Sequence, residues 1–450
     1  MDYLLLIAIL TGIAVLLFLI LRFKIHAFIA LLIASIVVGV IAGMEPSKIM
    51  DSIKEGMANT LGFVATVIGL GAMFGAILEA SGGAHIITRF LLDKLGIKRA
   101  SSAMTLAGFI IAIPVFFDVA FILLIPILYS LQKQTKRSLL LFALPLLAGL
   151  AVTHAFIPPT PGPIAVADII GARLGWVILI GALAGLPTAI IGGIFYGKYI
   201  GNKIFVSVPF ENDPQSLTTQ TDHKSPDIRI LFLIIAIPIV LILLSTFTSS
   251  GLLNLRNETI NQIISLIGHP FAALIIANII AWYVLGIKQG FSKEELLNIT
   301  SKSLGPAGMI ILITGAGGVF KQLLINTGAG KMIAESLTGI GFPVILFAFT
   351  VALLVRIIQG STTVAMITAA GLVSPVITNG QFDNLHLACI VIAIASGALG
   401  FSHVNDSGFW MVKQFIGLTE KQTFKTWTVM TGIISFSGLL FVSMIYYLFG

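Results

Sequence analysis

Four short segments carry nearly all the polar residues that stand inside apolar stretches of this chain. AIPVFFDVAF (112–121) pairs a helix-breaking Pro114 with a lone carboxylate, Asp118. RIIQGSTTVAMI (356–367) offers Arg356 and then Gln359, Gly360, Ser361, Thr362 and Thr363, a run of small polar groups between apolar flanks. VTHAFIPPTPGP (152–163) sets His154 directly before Pro158, Pro159, Thr160, Pro161 and Pro163. FSHVNDSGFW (401–410) sets His403 before Asn405, Asp406, Ser407 and Gly408. Hydroxyls and the free N–H groups of a helix end suit an anionic, hydroxyl-rich ligand. A carboxylate inside a membrane is a functional group by default, and a buried one is suited to carrying a proton. The chain has no GxxxxGK[ST] loop and no clustered Cys/His metal spacing, so neither direct ATP driving nor a metal centre is expected, and no cofactor is.

Each group also has a plainer role. Asp118 can belong to a short loop that reaches the surface rather than to the tip of a re-entrant hairpin. Isolated serines and threonines are ordinary interhelical contacts, although the 359–363 cluster is denser than that role needs. Arg356 suits a carboxylate clamp, a structural partner for Asp118, or snorkelling to the interface. Lys321, also within an apolar run, is read as snorkelling or packing. His154 and His403 are either ligand contacts or interhelical hydrogen-bond partners. Glu79 reads as interfacial, and Asp168 as a helix-end charge or a second proton carrier.

The elements that hold these segments must be membrane helices. Of 450 residues, 57% are hydrophobic and only 10% charged. A soluble domain carries about a quarter charged residues. Apolar runs near the ~20 residues needed to cross a bilayer recur throughout. The first, Leu4–Leu21, has an acidic flank and no A-x-A-like site after it, and so reads as a retained helix. The formal charge of +7 reflects cytoplasmic loops rather than nucleic-acid binding. The single cysteine, Cys389, excludes an intrachain disulfide and reads as a small core residue.

An internal repeat covers most of the chain. HAFIALLIASI (26–36) matches HPFAALIIANI (269–279), GLGAMFGAILEASGG (69–83) matches GAGGVFKQLLINTGA (315–329), and AGLAVTH (148–154) matches GALGFSH (397–403). The halves are 1–200 and 229–450, joined by a hydrophilic cytoplasmic linker at 201–228. Spans are expected at 4–21, 26–43, 58–80, 138–157, 176–197, 229–249, 269–286, 303–325, 386–402 and 426–449, with re-entrant hairpins at 101–131 and 341–377. This threading places nineteen of the 26 Lys and Arg on the inside and five outside. Five spans per half invert the second half relative to the first. The expected fold is an all-α polytopic membrane protein of two inverted-topology repeats, about ten transmembrane helices plus two re-entrant hairpins. Such repeats, with helices broken near the midplane, mark secondary transporters.

PVFFDVAFILLIPI (114–127), HAFIPPTPGP (154–163), RIIQGSTTVA (356–365) and GALGFSHVNDSGFW (397–410) closely resemble the gluconate permease (GntP) family, over essentially the whole chain. The resemblance implies a symporter of the bacterial cytoplasmic membrane. It would import gluconate or a related small hydroxylated monocarboxylate with protons, as a homodimer with paired hairpins on a mobile, elevator-type domain. Members of the family also carry idonate, fructuronate or D-serine, so the exact substrate does not transfer. The expected site places the ligand carboxylate near Ser361, Thr362, Thr363 and Arg356, with Gln359, Gly360, Thr160 and His403 around it. Its hydroxyls would meet His154, Asn405 and Asp406, and Asp118 would carry the coupling proton. Sodium coupling, a passive facilitator and a ligand-binding sensor are the alternatives.

Overall fold

The computed structural model describes residues 3–209, 226–249, 253, 257–328, 332, 342–378, 382–404 and 406–449. The linker expected at 201–228 falls mostly outside the described residues, and Asn405 lies outside them too. All regular structure among the described residues is helical. The first half contains α1 (Tyr3–Phe23), α2 (Ala27–Ile41), α3 (Pro46–Ala80), α4 (Gly83–Leu95), α5 (Ala100–Ile111), α6 (Phe117–Thr135), α7 (Leu140–Phe156), α8 (Pro161–Ile170), α9 (Leu174–Ala189) and α10 (Gly197–Lys203). The second contains α11 (Ile228–Ser249), α12 (Glu258–Ile267), α13 (Pro270–Ala281), α14 (Lys293–Asn326), α15 (Val344–Gln359), α16 (Thr362–Thr378), α17 (Asn384–Leu399), α18 (Ser407–Ile416), α19 (Glu420–Thr423) and α20 (Val429–Phe449).

The order of helices and breaks repeats between the halves. His26 and His269 occupy the N-cap positions of α2 and α13, and each ring Nδ1 accepts the N–H of the phenylalanine two residues on, at 3.3 Å. Two long helices follow, α3 and α14, then a helical hairpin, then a helix broken by a non-helical turn. Helix α12 has no counterpart between α1 and α2, which are separated by residues 24–26 alone.

Eight helical segments among the described residues are long and apolar enough to cross a membrane. Seven coincide with expected spans; the eighth is Phe117–Thr135, one arm of the first expected hairpin. The other three expected spans, 4–21, 26–43 and 386–402, coincide with shorter apolar helices. Helix α17, the last of these, is buried along almost its whole length, so protein rather than lipid surrounds it. The long helices begin earlier than expected, α3 at Pro46 rather than 58 and α14 at Lys293 rather than 303. Their first turns are polar, so an apolar run does not reveal them. Pro46 at the first helical position and the Ser292–Glu295 capping box start them there.

Two groups of helices result. Helices α3 and α14 pack on each other, flanked by α2 and α13, and form a frame. Against it stands the bundle that carries the hairpins, in which α5 packs on α7 and α15 on α17. Glycines bring these backbones together: a Cβ at Gly149 would lie 2.2 Å from the Thr105 carbonyl oxygen, and one at Gly397 would lie 2.3 Å from that of Phe349. Small residues at crossings are how membrane helices gain close packing without a hydrophobic driving force.

Candidate functional site

The hairpins and the broken helices meet around one cavity of about 580 Å³. The first hairpin contributes Phe116, Phe117 and Asp118, where α5 has ended and α6 begins. Asp118 lies in the first turn of α6, where the helix dipole favours an anion. Its side chain is exposed, and it lines the cavity. The second hairpin contributes Arg356 through Thr363, save Ile357 and Ile358. Its turn is short because Gly360 adopts φ +92°, a left-handed conformation that costs glycine little, and its N–H bonds the Arg356 carbonyl at 2.9 Å. Ser361 then starts α16 by accepting the Val364 N–H at 3.4 Å through its Oγ.

The broken helices supply His154 from the end of α7 and Asp406 from the start of α18. Asp406 accepts the Gly408 N–H at 3.1 Å through Oδ1, so it caps α18 while facing the site. Its other oxygen, Oδ2, accepts Arg356 Nη2 at 2.5 Å. Ser402 Oγ also donates to that oxygen, and Trp427 Nε1 donates to Ser402 Oγ at 2.6 Å. Arg356 therefore pairs with Asp406, a carboxylate fifty residues away, rather than with Asp118 or the membrane interface. Its side chain is only 3% exposed, and that of Asp406 is 12% exposed.

This pairing leaves part of the arginine unspent. Among the described residues, Arg356 Nε and Nη1 are buried without a hydrogen-bond partner, as are Gln359 Oε1 and His154 Nδ1. A buried polar atom without a partner costs about 1–3 kcal/mol, more for a charged group. All three residues line the same cavity, while the unpartnered atoms themselves are shut away from its open space, one side-chain movement from a ligand held there. An apolar wall of Phe117 and Trp427, ring centroids 5.8 Å apart, faces the same space.

The cavity thus gathers Asp118, His154, Arg356, Gln359, Gly360, Ser361, Thr362, Thr363 and Asp406. Two expected residues are not part of it. Thr160 is buried, and its hydroxyl donates to the Ile157 carbonyl at 2.6 Å within the break. His403 turns away: its Nε2 lies 2.8 Å from the Ile357 carbonyl, so it braces the last turn of α15. Sequence reasoning missed Trp427 and Ser402. A tryptophan near a span end reads as an interfacial anchor, and nothing in the sequence ties Ser402 to an arginine forty-six positions earlier.

The chain matches the model of the GntP family permeases over residues 4–448. It is 40% identical over 429 residues to the low-affinity gluconate transporter of Escherichia coli, covering 95% of each chain. It is 39% identical to the gluconate permease of Pseudomonas aeruginosa, over 98% of this chain and 97% of that one. With the Gnt-II system L-idonate transporter of Escherichia coli it shares 36% identity, covering 97% of each. The crystal structure of the Alcanivorax borkumensis YdaH transporter shares the fold, with a TM-score of 0.63 at 13% identity over 90% of both chains. These similarities, joined to the apolar helices and the polar site between them, show that the chain is a multi-pass membrane permease belonging to the GntP family.

Proposed function

We propose that this permease imports gluconate or a closely related hydroxylated monocarboxylate together with protons, by moving its hairpin-bearing bundle against the frame. The observation that carries the reading is a buried arginine with two unpartnered nitrogens in the wall of a cavity whose volume falls within the roughly 300–1,000 Å³ typical of small-molecule sites. The ligand carboxylate accepts from the arginine and from the first turn of α16. Gln359 and His154 meet hydroxyls, and Phe117 and Trp427 cover the C–H face of the carbon chain. That several relatives are named for gluconate and one for L-idonate supports this substrate class.

Asp118 is the proposed proton carrier, since it faces the cavity without being the arginine's partner. The inverted repeat supports bundle movement, because inverted halves generate two exchangeable arrangements. Homodimeric assembly belongs to the same proposal and is read by cross-linking in native membranes. The deciding experiment is uptake into proteoliposomes from a panel of sugar acids, with pH and sodium gradients imposed separately. Accumulation driven by the pH gradient alone is expected. Accumulation driven only by sodium would overturn the proton assignment, and equilibration without accumulation would reduce the protein to a facilitator.

A further inference from the structure

Lys321 and Asp168 stand apart from the cavity; Lys321 lies on the frame, and Asp168 lies on α8, which packs mainly on α16 of the second hairpin and so belongs with the bundle. Lys321 lies on α14 of the frame, and its Nζ donates to the Ile169 carbonyl in the last turn of α8 at 2.6 Å. Ser374 on α16 donates to the same carbonyl at 2.8 Å. The last carbonyls of a helix have no partner within it, and a cation beside them is favoured. Asp168, one residue earlier, lies within Coulomb range of the ammonium. A frame helix and two helices of the site-bearing bundle therefore converge on one oxygen.

The internal repeat makes this junction informative. Aligning 69–83 with 315–329 makes Gly75 on α3 the mate of Lys321 on α14. A Cβ at Gly75 would lie 2.0 Å from the Pro114 carbonyl oxygen, so no side chain fits where α3 passes the first hairpin. Two glycine positions ease the neighbouring contact as well, since a Cβ at Gly371 would lie 3.2 Å from the Gly317 carbonyl oxygen where α14 meets α16. One frame helix thus presents bare backbone to the bundle, whereas its mate presents a charged hook among smooth contacts.

We propose that Lys321 is a tether between frame and bundle, whose release from Ile169 and Asp168 sets the rate of the bundle's movement. The proposal rests on the moving-bundle reading above. If it holds, the tether slows exchange without touching the ligand. A lysine that merely finishes α8 would instead govern how well the protein holds together.

The test uses the full-length protein with Cys389→Ala as background. The charge-removing variant Asp168→Asn/Lys321→Met loses both charges while nearly keeping the side-chain lengths. Its gluconate affinity in detergent is expected to stay within threefold of the parent, while counterflow per folded protein rises fivefold or more. A second variant, Gly317→Cys/Ile367→Cys, cross-links α14 to α16; a Cβ at 317 lies 2.5 Å from the Ile367 side chain that the second cysteine replaces. With disulfide formation verified by intact mass, transport is expected to stop and to return on reduction. If the cross-linked protein transports at the parent rate, the moving-bundle reading fails and the tether with it. Should the cross-link block transport while the charge-removing variant shows unchanged or slower counterflow, the tether alone is refuted.

Discussion

Replacing Arg356 by lysine separates the two roles the structure gives this residue. Lysine keeps a positive charge that can still meet Asp406, so the buried pair survives in kind. What it loses is the planar fork and the two nitrogens, Nε and Nη1, that are buried without partners among the described residues, in the cavity wall. A hydrogen bond to a charged group contributes about 1.5–3 kcal/mol, which is roughly a ten- to hundredfold change in affinity. Arg356→Lys should therefore weaken gluconate binding by about ten- to hundredfold while lowering the unfolding temperature only slightly. Arg356→Gln should differ in kind. It leaves Asp406 without its cation at a site where the arginine is 3% exposed, and breaking a buried pair from one side costs about 3–5 kcal/mol. Both effects are measurable on purified protein in detergent, by titration calorimetry for affinity and by thermal unfolding for stability. If Arg356→Lys binds gluconate within threefold of the parent, the unpartnered donors do not meet the ligand and the central assignment is wrong.

Other residues give sharper divisions of labour. Asp118→Asn should abolish pH-driven accumulation in proteoliposomes yet leave gluconate counterflow within a fewfold of the parent; retained accumulation would remove Asp118 from the coupling role. Trp427→Phe keeps the aromatic wall but loses the N–H that holds Ser402. With one neutral hydrogen bond contributing about 0.5–1.5 kcal/mol, binding should weaken roughly two- to tenfold, and an unaltered affinity would show that the Ser402–Asp406 chain does not orient the arginine. Gly75→Ala should lower the unfolding temperature markedly, because its methyl meets the Pro114 backbone at 2.0 Å. Gly62→Ala, on the same helix with nothing within 4 Å, should not; equal behaviour of the two would contradict the packing described.

The sequence revealed where the site is better than how it is wired. Asp118, His154 and the 359–363 run stand out because polar groups and helix breakers are costly at membrane depth, and one cavity gathers them. Side-chain direction was not legible. Thr160 and His403 belong to conspicuous motifs, yet both spend their polar atoms on backbone carbonyls of neighbouring turns. The Arg356–Asp406 pair joins two motifs fifty residues apart, a proximity that only packing creates. Helix ends were misplaced where hydropathy and helix formation part company, since the polar first turns of α3 and α14 lie outside any apolar run. The amphipathic α12, inserted in the second half alone, carries no signal in the repeat itself.

The two hairpins turn through segments of unequal length, residues 112–116 in the first half and 360–361 in the second. On the moving-bundle reading, identical inverted halves would make the inward- and outward-open forms equivalent by a two-fold rotation, and so equal in free energy. Unequal turns would remove that degeneracy, so one facing would be the more populated before any substrate arrives. A tenfold preference corresponds to about 1.4 kcal/mol, and it would weaken apparent binding from the disfavoured side by the same factor. In a carrier that works this way, the concentration at which the cell could scavenge its substrate would be set partly by the geometry of two turns, and not solely by the groups that touch the ligand.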